Sequence, residues 1–407
     1  MPVGHHHTLV RLGGIPAVGL FVVCLFAFVA ETQLSQYVQA DLGFRQPYLI
    51  FYIVHSSFAV TFPLHLLYLS VVSQLSVRSL WNSVVFAAHN HLAPKTISSA
   101  VAEHSFPTRK FSRLLAFLTT CMTLPGLLWF IAVTLAPVTD VTALWNTNAF
   151  FAYVFSVLLS GGKWDPRRLV AVVIATAGVL AVVYGGSTSG DDASGGPHDH
   201  LNTRASGRRG APLVGDLLTL VASMIYGAYQ VLYKIYAALP DDPEAQTDTL
   251  YSPVASDVSA EDDIEDRAEN TLLIQEDIVH PLPFGLYPNF LTSAIGVCTL
   301  LVLWIPVPIL DALDIEPFEM PSNALTYGVI CGIALTGAVF NAGFMVLLGV
   351  WGPIVTSVGS LLTIVLVFVS DALLGGAVEK VTFWSIFGCG AIVAAFAILA
   401  YDLMRRR

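Results

Sequence analysis

The chain has 407 residues, 55 % of them hydrophobic and only 12 % charged, with a mean hydropathy of +0.70. Soluble domains carry about 25 % charged residues, so a soluble globular fold is excluded. The formal charge of −10 is local: residues 238–282 hold thirteen acids and one base, which leaves +2 for the remainder and excludes nucleic acid as a partner.

In chain order, the polar N-terminal end carries His5-His6-His7. Three imidazoles on a terminus with no fourth ligand read as chance composition or a tag remnant, not a metal site. Ile15–Ala30 is the first apolar run. Arg11 precedes it as in a secretory signal, but Phe28 and Glu31 make a poor cleavage site, so it counts as helix one. Helix two is Leu49–Val72, with His55, Pro63 and His65 inside it. A polar connection follows, with an interfacial piece expected around Leu80–Ala88. Helix three is Phe111–Ala136, and Pro125 predicts a kink.

Helices four and five form an apolar hairpin. Val141–Leu159 ends at Ser160-Gly161-Gly162, a charged turn runs from Lys163 to Arg168, and Leu169–Tyr184 returns. A loose copy closes the chain: Ile354–Leu374, Gly375-Gly376, a turn with Glu379-Lys380, then Val381–Leu403. Pro137/Pro353 and Thr147/Thr363 are among the few identities between the copies. About 20 apolar residues at 1.5 Å rise span a hydrocarbon core of roughly 30 Å, so each apolar segment crosses a bilayer. Between the copies lie a Gly/Ser-rich linker at 187–211, helix six (Leu213–Ala238), an acidic insertion at 239–281, and helices seven (Leu282–Ile305) and eight (Ala324–Val350). The expected fold is an all-α membrane protein of ten transmembrane helices, built as two inverted five-helix repeats over 1–186 and 212–407. Cys24, Cys121, Cys298, Cys331 and Cys389 all lie in apolar segments without motif spacing and read as small buried hydrophobes.

Lys and Arg in the connections set the orientation. With both termini cytoplasmic, fourteen basic residues fall inside and five outside, the latter being Arg45, Arg204, Arg208, Arg209 and Lys380. An odd number of helices per half then inverts the second half relative to the first.

The segment Thr139–Phe150 resembles the start of the fourth helix in the drug/metabolite transporter superfamily, in its solute-carrier-35 F-type branch. So do Gly178–Tyr184, Val214-Gly215-Asp216, Tyr226–Lys234 and Gly352–Gly359, while Val54–Phe58 and Phe62–His65 resemble fungal members. The resemblance covers nearly all the membrane part. It implies ten helices in two EamA-like halves and transport of thiamine or another small metabolite. The chain departs from the broader EamA pattern, which places Gly-Glu after helices four and nine; here Gly162-Lys163 and Gly376-Ala377 stand instead.

Polar groups inside a bilayer are costly, so each is a candidate for substrate contact. On helix six, Tyr226, Tyr229, Gln230 and Tyr233 share one face at i, i+3, i+4 and i+7, with Lys234 at its edge. A tyrosine belt with a snorkelling lysine suits Tyr233, Tyr236 and Lys234; Tyr226 and Tyr229 lie deeper. On helix four, Asn146, Phe150 and Tyr153 share a face; Asn148 lies about 200° round from Asn146, so Asn146 is chosen over it. Helix nine carries Thr356, Ser360 and Thr363 on one stripe, with Asp371 near its outer end, and Asn341 interrupts apolar helix eight. Small hydroxyl residues also permit close helix packing. The substrate-binding candidates are therefore Asn146, Phe150, Tyr226, Tyr229, Gln230, Asn341, Ser360 and Thr363. His55 and His65 read as satisfied core groups rather than a proton relay, and Glu31 and Asp216 as interfacial groups at helix ends.

No HExxH, phosphate-cradling loop or nucleophile elbow occurs, so neither catalysis nor a cofactor is expected. The expectation is a transporter of a small organic metabolite, with aromatic faces suited to a cationic heteroaromatic ring. A nucleotide-sugar carrier, which needs bases in its cavity, and a non-transporting receptor or assembly protein are the alternatives. Glu269-Asn270-Thr271-Leu272-Leu273-Ile274 resembles an acidic-dileucine signal. A sorting adaptor reading Glu269, Leu273 and Ile274 would direct the protein to a vacuolar or other endomembrane.

Overall fold

The computed structural model describes residues 14–73, 75–92, 106–136, 138–161, 164–187, 212–239, 282–374 and 382–406. The tri-histidine, the linker beyond Ser187, the acidic insertion beyond Leu239 with its dileucine signal, Gly162-Lys163 and the Gly375–Lys380 turn lie outside these residues, as does the side chain of Asp371.

Among the described residues every regular element is helical. Ten stretches are long and apolar enough to cross a membrane, so the chain is an all-α, ten-span membrane protein. Span one is α1 (Gly14–Ala40). Span two is α2 (Pro47–Ser57), a 3₁₀ turn (Phe58–Val60) and α3 (Thr61–Ser73). An amphipathic helix, α4 (Val77–Leu92), follows. It buries Leu80, Val84 and Ala88 at i, i+4 and i+8, which places the expected interfacial piece on one buried stripe. Span three is α5 (Thr108–Leu135), which continues through Pro125. Span four is α6 (Val138–Trp145) with α7 (Asn148–Ser160), and span five is α8 (Pro166–Ser187). Span six is α9 (Pro212–Tyr236). Span seven is α10 (Leu286–Val302) with the short α11 (Pro306–Ala312), and span eight is α12 (Ala324–Trp351). Span nine is α13 (Pro353–Ser360) with α14 (Leu362–Leu374), and span ten is α15 (Phe383–Arg406).

Span five packs on ten, four on nine, and two on seven. Span eight packs on one as span three packs on six, and span six packs on four as span one packs on nine. Exchanging spans one to five with six to ten in order maps this set of pairings onto itself. Among the described residues the apolar side chains gather in two large cores and two small ones. One large core gathers Phe58, Leu118, Tyr229, Leu291 and Ile333; the other gathers Ala149, Tyr153, Val179, Val358 and Ile392.

Where span two leaves α-geometry, side chains of span seven satisfy its backbone. Span two is interrupted at Phe58–Val60, and Ser293 donates to the Ala59 carbonyl while Thr299 donates to the His55 carbonyl (3.1 Å). Freed carbonyls inside a bilayer need such partners. The start of α2 is capped by Glu316, whose carboxylate accepts from the Tyr48 and Leu49 amides at 3.1 and 3.0 Å. A carboxylate suits the positive end of a helix, so the segment after α11 anchors span two.

Candidate functional site

Spans four and nine are both interrupted near mid-length. In span four, Asn146 Nδ2 donates to the Thr142 carbonyl (2.8 Å) and Thr147 Oγ1 to the Leu144 carbonyl (2.6 Å). Asn148 Nδ2 takes the Trp145 carbonyl at 2.8 Å. Side chains that claim carbonyls of the preceding turn compete with the helical ladder and favour a bend. In span nine, Ser360 Oγ donates to the Ser357 carbonyl (2.7 Å) and Thr363 Oγ1 to the Ser360 carbonyl (2.6 Å), on either side of Leu361. The Thr147 and Thr363 bonds are the same bond twice, with both donor and acceptor 216 residues apart in the sequence.

Helix α9 lies across these interruptions, packing on α6, α7 and α13. One face, spaced i, i+4, i+7, carries Ser223, Gly227 and Gln230. Ser223 Oγ hydrogen-bonds Thr147 Oγ1 (2.9 Å), and Gln230 Nε2 donates to Asn148 Oδ1 (3.2 Å). Gln230 is fully buried, yet its Oε1 has no hydrogen-bond partner among the described residues. A neighbouring face carries the tyrosines. Tyr226 stacks on Trp145 with ring centroids 5.2 Å apart, and on Phe344 of α12 at 6.4 Å. From Phe344 the ring contacts continue through Phe340 (5.8 Å) to Phe28 of α1 (4.9 Å). A line of π faces thus runs from the interruption of span four to span one.

The sequence-predicted residues fall into three places. Asn146, Tyr226, Ser360 and Thr363 lie at the interruptions or against them, with Phe150 in the first turn of α7, its ring 5.8 Å from that of Phe151. Tyr229 and Gln230 are buried behind, the Tyr229 hydroxyl 3.1 Å from Met345 Sδ. Asn341 lies on α12 beside Phe340 and donates to the Gly337 carbonyl at 2.9 Å. Asn148, passed over by the helical-wheel argument, makes the cross-helix bond to Gln230. That argument assumed a continuous helix between residues 146 and 148, which is where span four breaks. Lys234 is held by the Gly349 carbonyl in the last turn of α12, where the helix dipole favours a cation. His55 Nδ1 meets the Phe51 carbonyl (3.1 Å) and His65 Nδ1 the Asn289 amide (2.8 Å). Each histidine thus has its Nδ1 paired within the helix packing.

Glu31 requires a correction. Helix one does not end at Ala30: α1 continues to Ala40, so Glu31 is an interior residue of the span rather than a helix-end group. Its carboxylate lies against span eight, where a Cβ added to Gly337 would stand 2.8 Å from Oε1 and 2.6 Å from Val54 Cγ1 of α2. Asp216 does lie in the second turn of α9, near its start.

No family model matches the chain. An uncharacterized transporter of Schizosaccharomyces pombe is 23 % identical over 267 residues, 65 % of this chain. The chain spans 61 % of the length of that curated relative. A solved crystal structure superposes over 96 % of this chain and 98 % of its own, with a TM-score of 0.52 at 12 % identity, a likeness of fold alone. The ten spans make the molecule a multi-pass membrane protein.

Proposed function

We infer that the chain is a secondary transporter that carries a small organic solute, a cationic heteroaromatic of thiamine type, by alternating access. The observation that carries this reading is the pair of matching interruptions in spans four and nine, closed by the Thr147 and Thr363 back-bonds. Interrupted spans in corresponding places of two halves mark the substrate site in carriers built from inverted repeats. The exchange symmetry of the span pairings supports reading 1–186 and 212–407 as two inverted, EamA-like repeats of the drug/metabolite transporter type. Helices one and eight run past each other in opposite directions, with Phe28 against Phe340 and Leu34 against Gly332, as an inverted second half requires.

Trp145, Tyr226, Phe344, Phe340 and Phe28 offer π faces to a flat cation, each contact contributing about 0.5–2 kcal/mol. Asn146, Gln230, Asn341, Ser360 and Thr363 supply donors and acceptors for a ring edge. A nucleotide-sugar carrier would need a free base near these residues to offset its phosphates. Lys234 is instead spent on the Gly349 carbonyl. The termini face the cytoplasm in this reading, and the dileucine signal at Glu269, Leu273 and Ile274 directs the protein to a vacuolar or other endomembrane.

The test is uptake into proteoliposomes containing the purified protein. Saturable uptake of labelled thiamine, absent from empty liposomes and from Tyr226→Ala protein, is expected. Exchange of UDP-sugars, or no uptake of any solute in a metabolite panel, would refute the reading.

A further inference from the structure

We propose that Glu31 is the intramembrane counter-ion for the positive charge of the transported solute. The inference rests on the cationic-substrate reading and adds the residue that selects for charge. An acidic residue in the middle of an apolar span is costly and persists where it faces protein or a water-filled cavity and meets an opposite charge. Glu31 is largely but not completely buried among spans one, two and eight. No hydrogen bond or ion pair to its carboxylate is formed among the described residues of these spans.

Two features place a cation beside it. Gly337 stands near the midpoint of α12 and carries no side chain, so the Glu31 carboxylate reaches the backbone of span eight. One turn along each helix, Phe28 of α1 and Phe340 of α12 touch at 4.9 Å. Residues three apart on a helix are neighbours, so the carboxylate lies at the end of the aromatic line that begins at Trp145. A flat cation resting on Phe28 and Phe340 would present its charge to Glu31, while Asn341, held to the Gly337 carbonyl, borders the same place. Aromatic faces and a carboxylate both favour positive charge, and together they discriminate against a neutral ring of the same shape.

The experiment uses the purified full-length protein with 1-methylnicotinamide and nicotinamide, two rings that differ in one methyl group and one charge. Dicyclohexylcarbodiimide couples to carboxyls held in apolar surroundings, and its adduct on Glu31 is read by peptide mass spectrometry. Modification of Glu31 slowed at least fivefold by 1-methylnicotinamide or thiamine, and unchanged by nicotinamide, is the expected result. Equal modification with and without all three solutes, or equal slowing by the cation and the neutral ring, overturns the proposal. Glu31→Gln protein, checked for monodispersity, should also lose at least tenfold in uptake of the cation relative to wild type. Retained cation uptake in Glu31→Gln overturns it as well. The transport reading fails separately: cations that protect Glu31 but are never taken up leave the binding site standing and remove the carrier.

Discussion

Gly178 of span five and Gly388 of span ten face each other's backbone. A Cβ on Gly178 would stand 2.8 Å from the Gly388 carbonyl oxygen, and a Cβ on Gly388 would meet the Gly178 carbonyl in turn. Gly178 lies near the middle of α8 and Gly388 in the second turn of α15, two helices that pack along much of their length. In a bilayer, helix association comes from close backbone approach, because burial of apolar surface against lipid-like surroundings contributes little. This reciprocal contact joins the first five spans to the last five.

Enlarging either glycine therefore forces spans five and ten apart. Gly178→Val or Gly388→Val should lower stability by about 1–3 kcal/mol, the usual cost of overpacking. Gly390, two residues on and about 200° round the helix, has no atom within 4 Å of an added Cβ, so Gly390→Ala serves as the neutral control. Thermal unfolding in detergent, followed by fluorescence, checks this. An unchanged midpoint in both valine variants would show that the crossing is looser than described.

A second link between the same spans is ionic. Arg168 Nε donates to Asp402 Oδ2 at 2.8 Å, and Asp402 is 7 % exposed while the Arg168 side chain is 25 % exposed. Removing Arg168 leaves a buried carboxylate without that partner, and removing both charges is milder. Arg168→Gln should destabilise more than the double variant with Asp402→Asn. The coupling in a double-mutant cycle should be about 1 kcal/mol, since part of the pair remains in reach of water. A coupling indistinguishable from zero at low salt would reduce this contact to a surface pair.

The matched threonines predict a functional effect. Thr147→Val and Thr363→Val keep shape but remove the hydroxyls that claim the Leu144 and Ser360 carbonyls. Without that competition each span is free to extend its helical ladder through the interruption. Uptake of the labelled cation should fall about tenfold in either variant, equivalent to about 1.4 kcal/mol, while the protein still elutes as a single species. Thr176→Val, which removes an i−4 back-bond to the Val172 carbonyl within uninterrupted α8, is the control and should retain uptake. Equal uptake in all three variants would detach the interruptions from transport.

What the sequence made legible follows from what hydropathy measures. Ten apolar runs of membrane length are visible because the bilayer sets both their length and their composition. The extension of span one past Ala30 was hidden, because Glu31, Thr32, Gln33 and Gln36 read as a polar connection although they continue the helix. Polarity marks the solvent a residue prefers and does not mark where the backbone stops coiling. The interruptions were hidden for another reason. Asn146-Thr147 carries neither proline nor glycine, and Gly359-Ser360 before Leu361 reads as a small-residue packing stripe, while the carbonyls that the side chains take at each break are visible only in the structure. The repeat of Thr147 as Thr363 was the available signal, and its meaning required the hydrogen bonds. The Gln230–Asn148 pair joins different spans, so helical periodicity within one span could not reveal it.

Gln230 supports the last prediction. Its amide donates to Asn148 Oδ1 across spans six and four, while its own Oε1 is buried with no partner among the described residues. A buried acceptor left unmade costs about 1–3 kcal/mol, so a purely structural glutamine at this place is a poor choice. Gln230→Met conserves volume, removes the orphan acceptor and leaves Asn148 Oδ1 without its donor. The two changes oppose each other, and net stability should move by less than about 1 kcal/mol. Uptake has no such compensation. If Oε1 is kept free to accept from the solute's exocyclic amino group when the spans rearrange, Gln230→Met should abolish saturable uptake of labelled thiamine at nearly unchanged stability. Gln230→Glu, which keeps an acceptor but lacks the amide donor to Asn148, should retain part of it. Measuring the unfolding midpoint and the uptake on the same preparations separates the two roles. A methionine variant that is both more stable and fully active would make Gln230 a packing residue and remove it from the candidate site.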